Sequence, residues 1–209
     1  MSKLLYIQAS PRGERSSSSA VANSYIESFK AASPDNTVST INVWEMNLPE
    51  FDVERLNAKY SFMHGQNPSN QETAAWQEIV SLTDQFKDAD CYLYSVPMWN
   101  FSIPYKLKHY IDVITQPGLT FSVDPEQGFF GLVTGKPVTA IYSRGGAYNN
   151  ADAKGMDFQK PYLEMSLGFI GFRDISNVII EPTLTDPGAV GKAIATAKEQ
   201  ATKLGANAL

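Results

Sequence analysis

Cysteine is nearly absent from this 209-residue chain, whose only one is Cys91. A single thiol cannot form a disulfide within the chain, so the sequence argues against a disulfide-stapled secreted fold and predicts a reducing location, the cytoplasm. Histidine is almost as scarce, with His64 and His109 far apart in the sequence. Such a composition lacks the nitrogen and sulfur clusters that transition metals prefer, and we expect no bound metal.

Long apolar runs are also missing. No segment approaches the ~18 consecutive apolar residues of a membrane span, and the N-terminal stretch MSKLLYIQAS is too short and too soon polar for a signal peptide. Basic residues are outnumbered, with 17 Lys and Arg against 22 Asp and Glu and a formal net charge of -5. We therefore expect neither a membrane nor a nucleic acid among the partners.

Strand-like and helix-like segments alternate along the chain. Apolar runs of strand length lie at residues 3–9, 36–44, 90–96, 137–143 and 175–180. Segments between them repeat apolar residues at helical spacing, and this alternation predicts a parallel sheet with helices on both faces. The sequence has no internal repeat or obvious linker, so we expect one α/β domain over residues 1–209, interrupted by irregular excursions at about 45–68 and 116–136.

Three unusual loops follow predicted strands. They read SPRGERSSSS after the first strand, PMWNF after the third and SRGGAY after the fourth. Ligands of open parallel sheets bind beyond the carboxyl ends of the strands, where the strand order reverses. Each loop alone is weak support for a site, but their shared placement predicts one at this edge of the sheet.

The first loop is a candidate anion site. Ser16 to Ser19 follow Ser10 at the predicted start of a helix, where unpaired amides and hydroxyls suit a phosphate. A solvated loop that ends in a helix N-cap explains the same residues. The loop lacks both the Gly-Lys-Ser/Thr ending of a P-loop and the three glycines of the dinucleotide fingerprint, so the phosphate of a mononucleotide is the functional alternative.

The other two loops also have two interpretations each. Met98, Trp99 and Phe101 are large apolar residues at a strand end, and they either cap the core or lie against an aromatic ligand. Gly145 and Gly146 either supply a positive φ for a tight turn or leave the backbone amides open to a flat ring.

Together these loops resemble those of the FMN-dependent NADH-azoreductases, also called FMN-dependent NADH:quinone oxidoreductases, of the flavodoxin-like superfamily. The resemblance spans nearly the whole chain and is carried by ASPRGERSSSS, PMWNFSIPYKLKHYID, GLVTGKPVTAIYSRGG and YLEMSLGFIGF. It implies a flavodoxin-like fold with a five-stranded parallel sheet in the order 2-1-3-4-5. It also implies a homodimer with one FMN per subunit and each active site near the dimer interface.

The resemblance implies a set of FMN-binding residues, matched position by position. The serines would hold the phosphate, residues 97–101 would lie along the flavin edge, and residues 143–146 would lie near its pyrimidine end. The complete predicted set is Ser10, Ser16, Ser17, Ser18, Pro97, Met98, Trp99, Asn100, Phe101, Ser143, Arg144, Gly145 and Gly146.

The activity implied by the resemblance is a ping-pong reaction. NADH is the electron donor to the FMN, and a quinone or an azo compound then receives the electrons, with the azo compound cleaved to aromatic amines. No catalytic side chain is expected, because the cofactor carries the chemistry. A flavodoxin-type FMN electron carrier without small-molecule turnover is the alternative, and an α/β domain that binds a phosphorylated ligand without redox chemistry is another.

Overall fold

The computed structural model describes residues 1–126 and 128–209. The strands are β1 (Lys3–Gln8), β2 (Thr37–Asn42), β3 (Cys91–Pro97), β4 (Phe121–Asp124), β5 (Gly128–Gly131), β6 (Val138–Ser143) and β7 (Ile175–Ile180). The helices are α1 (Ser17–Ala32), α2 (Val53–Met63), α3 (Asn70–Lys87), α4 (Tyr105–Ile114), α5 (Ala151–Lys154), α6 (Lys160–Ile170) and α7 (Pro187–Ala206). A short 3-10 turn, Gly13–Arg15, precedes α1.

Five of these strands form one parallel sheet in the order β2-β1-β3-β6-β7. The predicted α/β fold is confirmed. The five strands of this sheet have the predicted spatial order 2-1-3-4-5. The fourth and fifth of them are labelled β6 and β7 here, because the hairpin strands β4 and β5 come before them in the chain and form a separate antiparallel pair. The strand order reverses at β1, which pairs with β2 on one side and β3 on the other. The crevice above the carboxyl ends of β1 and β3 is therefore where this architecture binds ligands.

Helices cover both faces of the sheet. Alternate residues of β1 show the division: Leu4 and Tyr6 pack in the core under α1 and α7, whereas Leu5 and Ile7 pack in the core under α3, α4 and α6. Burial on both faces explains why the strands read as continuous apolar runs rather than as alternating patterns.

The first excursion, residues 45–68, contains helix α2. Asp52 caps the helix, its side chain accepting a hydrogen bond from the amide of Arg55. Within α2 only Ala58 is fully buried, so no repeated apolar face marks this helix in the sequence. For that reason the sequence pattern does not predict α2.

The second excursion, residues 116–136, contains the β4–β5 hairpin; residue 127 lies outside the described residues. The hairpin ends against the end of α6, where the amide of Val133 donates to the carbonyl of Ile170 at 2.9 Å. The backbones of Gly131 and Gly171 meet so closely that a Cβ on Gly131 would lie 2.2 Å from the nitrogen of Gly171. Only glycine permits this approach.

The sequence predicts neither a bound metal nor a membrane span. Within the described residues, no group of three or more His, Cys, Asp or Glu side chains is placed to hold a metal ion. No helix in the same part of the chain combines the length and the apolarity needed to cross a membrane.

Candidate functional site

Three loops meet at the carboxyl edge of the sheet. The amide of Ala9 donates to the carbonyl of Ser95 at 3.0 Å, which joins the end of β1 to β3. The amide of Met98 donates to the carbonyl of Ser143 at 2.8 Å, which joins the loop after β3 to the loop after β6. The three are the serine loop (residues 10–19), the tryptophan loop (residues 97–102) and the glycine loop (residues 143–148).

The serine loop combines a helix cap with free amides. Ser16 is the N-cap of α1, and its Oγ accepts a hydrogen bond from the amide of Ser19 at 3.2 Å. The hydroxyls of Ser16 and Ser18 lie 3.2 Å apart. Within the described residues the amides of Ser17 and Ser18 have no hydrogen-bond acceptor. The cap is therefore present, but it leaves first-turn amides and hydroxyls that suit an anion at a helix N-terminus.

Ser10 and Ser19 have different surroundings. Ser10 is buried, and its Oγ accepts a long hydrogen bond of 3.4 Å from the amide of Arg12 within the loop. Ser19 instead lines a cavity of about 330 Å³ together with Tyr6 and Glu14. A carboxylate in that lining disfavours a phosphate. The placement supports Ser16 to Ser18, rather than Ser17 to Ser19, as the anion-facing serines.

The tryptophan loop contains a tight turn. Trp99 and Ser102 exchange two backbone hydrogen bonds of 2.8 and 2.9 Å, with Asn100 and Phe101 between them. Both central residues have a positive φ, +45° for Asn100 and +72° for Phe101. This pattern favours Asn first and Gly second, so Phe101 holds a strained backbone conformation. Its side chain is 48% exposed, and core packing therefore does not explain the strain. Strain of this kind typically marks a functional site.

Trp44 and Tyr105 join this loop and were missing from the predicted set. The indole nitrogen of Trp44 donates to the carbonyl of Ala9 at 3.0 Å. The Trp44 ring centroid lies 5.3 Å from the rings of both Trp99 and Tyr105. The apolar pattern of residues 36–44 predicts that Trp44 lies inside the second strand. Since β2 ends at Asn42, Trp44 in fact follows a strand at the same edge as the predicted loops.

A cavity of about 360 Å³ opens beside the tryptophan loop. Its size and its aromatic walls suit a small flat molecule. The lining residues are Trp99, Asn100, Ser102, Ile103, Tyr105, Lys108 and Tyr162.

The glycine loop does not need its glycines for backbone conformation, since neither Gly145 nor Gly146 has a positive φ. A Cβ on Gly146 would meet only the ring of Tyr148, at 3.9 Å. A Cβ on Gly145 would lie 2.7 Å from the Cδ1 of Leu184, a side chain that is 86% exposed and free to move. Because the fold tolerates a side chain here, the structure favours the interpretation in which the bare backbone receives a ligand.

Arg144 differs from the other predicted residues because its guanidinium has protein partners. The residue is 3% exposed. It forms ion pairs with Asp157 at 2.7 Å and Glu181 at 3.3 Å, and its Nε donates to Gln159 Oε1 at 3.0 Å. Direct contact of Arg144 with a ligand stays a prediction. Its three partners lie 13 to 37 residues further along the chain, so no local sequence motif predicts these contacts.

Cys91 is a core residue of β3. It is fully buried, and this burial raises the pKa of the thiol to about 12. A thiol that stays protonated at neutral pH is a poor nucleophile. Its burial therefore favours a structural role for Cys91 over a nucleophilic one.

Known proteins resemble this chain over nearly its full length. A sequence model of the family described as flavodoxin-like fold matches residues 2–204. The chain is 54% identical over 204 residues to the FMN-dependent NADH:quinone oxidoreductase of Desulfotalea psychrophila, covering 98% of this chain and 96% of that protein. It is 48% identical over 206 residues to the protein of the same name from Nitratidesulfovibrio vulgaris, with 98% of both chains covered.

Two solved structures are also similar. An azoreductase from Bacillus anthracis superposes with a TM-score of 0.90 at 28% identity, covering 99% of this chain and 100% of that chain. An FMN-dependent NADH-azoreductase from the same species, in complex with FMN, superposes with a TM-score of 0.85 at 30% identity, covering 98% of this chain and 99% of that chain.

Proposed function

Because the chain belongs to the family of the FMN-dependent NADH:quinone oxidoreductases, we propose that it transfers hydride from NADH through a bound FMN to quinones and azo compounds. The observation that carries this proposal is 54% identity to such an oxidoreductase over nearly the whole chain. When bound, FMN supplies the redox chemistry, accepting two electrons from the nicotinamide and returning them to the acceptor. The chain's own residues then bind the cofactor, orient it and shape the acceptor pocket.

The residues at the carboxyl edge fit an FMN. The free amides of Ser17 and Ser18 and the hydroxyl of Ser16 suit its phosphate group, and the open backbone at Gly146 has room for a flat ring. The strained, exposed Phe101 supplies an aromatic surface beside them. We propose the same contact role for the other predicted residues, Ser10, Pro97, Met98, Trp99, Asn100, Ser143 and Gly145. The guanidinium of Arg144 is paired with Asp157 and Glu181, so direct contact of Arg144 with the FMN stays a prediction from the family resemblance.

A small-molecule acceptor is favoured over a protein acceptor. The cavity of about 360 Å³ beside the tryptophan loop is walled by aromatic residues such as Trp99, Tyr105 and Tyr162. An open, aromatic-walled pocket of this size suits one quinone or one arm of an azo compound. A flavodoxin-type electron carrier has no use for such a pocket.

The deciding experiment follows the flavin spectrum of the purified protein mixed with FMN. We expect flavin uptake, bleaching by NADH without oxygen, and return of the colour on addition of a benzoquinone. Steady-state rates should give the parallel lines of a ping-pong reaction, with two NADH consumed per azo bond cleaved. Bleaching without turnover would identify an electron carrier, and no flavin uptake would identify a non-redox binding domain.

We also propose that the protein is a homodimer, assembled through an aromatic face. This face consists of Phe121 and Phe129 on the hairpin and Phe169 on α6, with the Phe121 and Phe169 rings 4.8 Å apart. Phe129 is 67% exposed and Phe169 is 40% exposed, and Met165, one helical turn before Phe169 on α6, is exposed too. Contiguous exposed apolar residues of this kind typically mark an interaction surface.

The variant Phe129→Glu should shift the protein from dimer to monomer, because it places a carboxylate in the centre of the aromatic face. Analytical ultracentrifugation at equal protein concentrations measures the shift. Leu209→Glu is the control, since it adds the same charge at an exposed apolar residue at the C-terminus. A wild-type protein that sediments as a monomer would contradict the dimer and leave the flavin chemistry untouched.

Phe101→Gly should raise stability and lower activity together. Glycine removes the strain of a positive φ, so we expect the free energy of unfolding to rise by about 1 kcal/mol. Loss of the ring should lower the turnover of quinones. Phe101→Ala keeps the strained backbone and loses the same ring, so it should lose activity without gaining stability. Urea unfolding and NADH oxidation rates measure the two effects, and a destabilised glycine variant would contradict the strain argument.

We propose a cytoplasmic location and a single FMN-binding domain over residues 1–209. The location rests on Cys91, the only cysteine of the chain and a buried thiol. The net charge of -5 supports small molecules, rather than nucleic acids, as partners.

A further inference from the structure

Arg144 lies at the centre of a buried polar network. Its guanidinium uses Nε, Nη1 and Nη2 to contact Gln159, Glu181 and Asp157 respectively. Within 5.8 Å it also lies over the rings of Tyr142 and Tyr148. A planar, five-donor group is suited to hold several acceptors in fixed directions.

Each side chain that accepts a hydrogen bond from the Arg144 guanidinium also forms a hydrogen bond with a backbone group. A carboxylate oxygen of Asp157 accepts from the amides of Gln159 and Lys160 at the start of α6, at 3.0 and 3.2 Å. The same Glu181 oxygen that meets Arg144 accepts from the amide of Tyr148, at the end of the glycine loop, at 3.2 Å. Two partly buried carboxylates balanced by one buried guanidinium and several amides form a connected network rather than an isolated pair.

The network reaches the tryptophan loop through residues 157–159. Gln159 Nε2 donates to the carbonyl of Val96, the residue before Pro97, at 2.9 Å. The amide of Phe158 donates to the carbonyl of the strained Phe101, also at 2.9 Å. Arg144 therefore connects the glycine loop to the tryptophan loop across the edge of the sheet.

The backbone of Arg144 forms hydrogen bonds with the end of β7 and with the segment that follows it. Its amide donates to the carbonyl of Ile180 at 3.0 Å, and its carbonyl accepts from the amide and hydroxyl of Thr183 at 2.8 and 2.9 Å. The carbonyl of the adjacent Gly145 accepts from the amide of Leu184 at 3.0 Å. These contacts leave the surface of Gly146 open, whereas the side chain of Leu184 lies against Gly145.

We propose that Arg144 is a positioning residue: by pairing with Asp157, Glu181 and Gln159 it sets the glycine loop at a fixed distance from the tryptophan loop, and so fits the edge of the sheet to a flavin ring. This inference rests on the proposed FMN function. It assigns the guanidinium no contact with the phosphate or with the reacting atoms. The fold of the serine loop should not depend on the guanidinium, because its hydrogen bonds within the described residues go to Gln159, Glu181 and Asp157.

The test uses Arg144→Lys and Asp157→Asn. Lysine keeps the charge but cannot reach both carboxylates and the amide at once, so we expect apoprotein titrations to show about tenfold or greater weakening of FMN binding. Asp157→Asn keeps the side-chain shape and loses one ion pair, and we expect a smaller loss of about threefold or more. Riboflavin binding should weaken by the same factors as FMN binding, since the ring is affected and the phosphate is not. The midpoint potential of bound flavin should also shift.

Arg55→Lys is the matched control. Arg55 also pairs with two carboxylates, those of Asp52 and Glu78, but it lies on α2 and its pair with Glu78 connects α2 to α3. Loss of the guanidinium that contacts both carboxylates should lower the melting temperature and leave the FMN dissociation constant within about twofold of the wild-type value.

The outcomes separate the two proposals. If the wild-type protein takes up no FMN, the proposed function fails. Suppose instead that the wild type binds FMN and that Arg144→Lys and Asp157→Asn are both folded at the assay temperature. If both variants then bind FMN within about twofold of the wild type and show the same midpoint potential of the bound flavin, the positioning role is wrong. If Arg144→Lys does not fold, Asp157→Asn decides alone.

Discussion

Ser17→Asp should nearly abolish FMN binding and leave the folded protein at least as stable as the wild type. Ser17 is the first residue of α1 and only half buried, so an aspartate fits there without being forced into the core. A carboxylate in the first turn of a helix is favourable by about 0.3–1 kcal/mol. The same carboxylate repels a phosphate: two unit charges ~5 Å apart at an effective dielectric of ~20 cost about 3 kcal/mol. We expect a loss of FMN affinity of about 100-fold.

Riboflavin provides the internal control for this variant, because it carries the same ring without the phosphate. Its dissociation constant should change by about twofold at most, and Ser17→Asn, which has the shape without the charge, should bind FMN within about fivefold of wild type. Flavin fluorescence titration of the apoproteins measures all of these constants. Equal losses for FMN and riboflavin would place the phosphate elsewhere.

Much of this site could be predicted because it depends on local sequence. A strand followed by serines and then by an amphipathic helix predicts both the turn and the free amides, and the structure places Ser16 at the N-cap with α1 starting at Ser17. Gly145 and Gly146 stand out in the same way, because adjacent glycines after a buried strand are uncommon. The five-stranded parallel sheet follows from the apolar runs alone, whereas its strand order came from the family resemblance.

The parts that escaped prediction depend on contacts between distant segments. Asp157 and Glu181 reach Arg144 from 13 and 37 residues away. In the sequence they are ordinary acidic residues, and Arg144 itself looks like a ligand-binding cation. Helix α2 escaped for a different reason: it has a single fully buried residue, Ala58, and periodicity detects only helices with a repeated apolar face.

Gly146→Asp should lower both the affinity for FMN and the midpoint potential of the bound flavin. A side chain at this position should not disturb the fold. Gly146 has no positive φ, and among the described residues a Cβ there would meet only the ring of Tyr148, at 3.9 Å. Gly145 is less suitable, since its new side chain would first have to displace Leu184. A failure of Gly146→Asp to bind flavin would thus report on the ligand rather than on misfolding.

The size of the effect follows from the added charge. A carboxylate ~6 Å from the ring, at an effective dielectric of ~20, disfavours a unit of negative charge on the ring by about 3 kcal/mol. For a two-electron couple this corresponds to a fall of about 60 mV in midpoint potential. Gly146→Ala adds the same Cβ without the charge, so its potential should stay within about 10 mV of wild type and its FMN affinity within about threefold. Spectroelectrochemical titration of the three proteins measures the difference. Equal potentials for the alanine and aspartate variants would mean that the flavin ring does not approach this backbone, and the glycine loop would lose its place in the site.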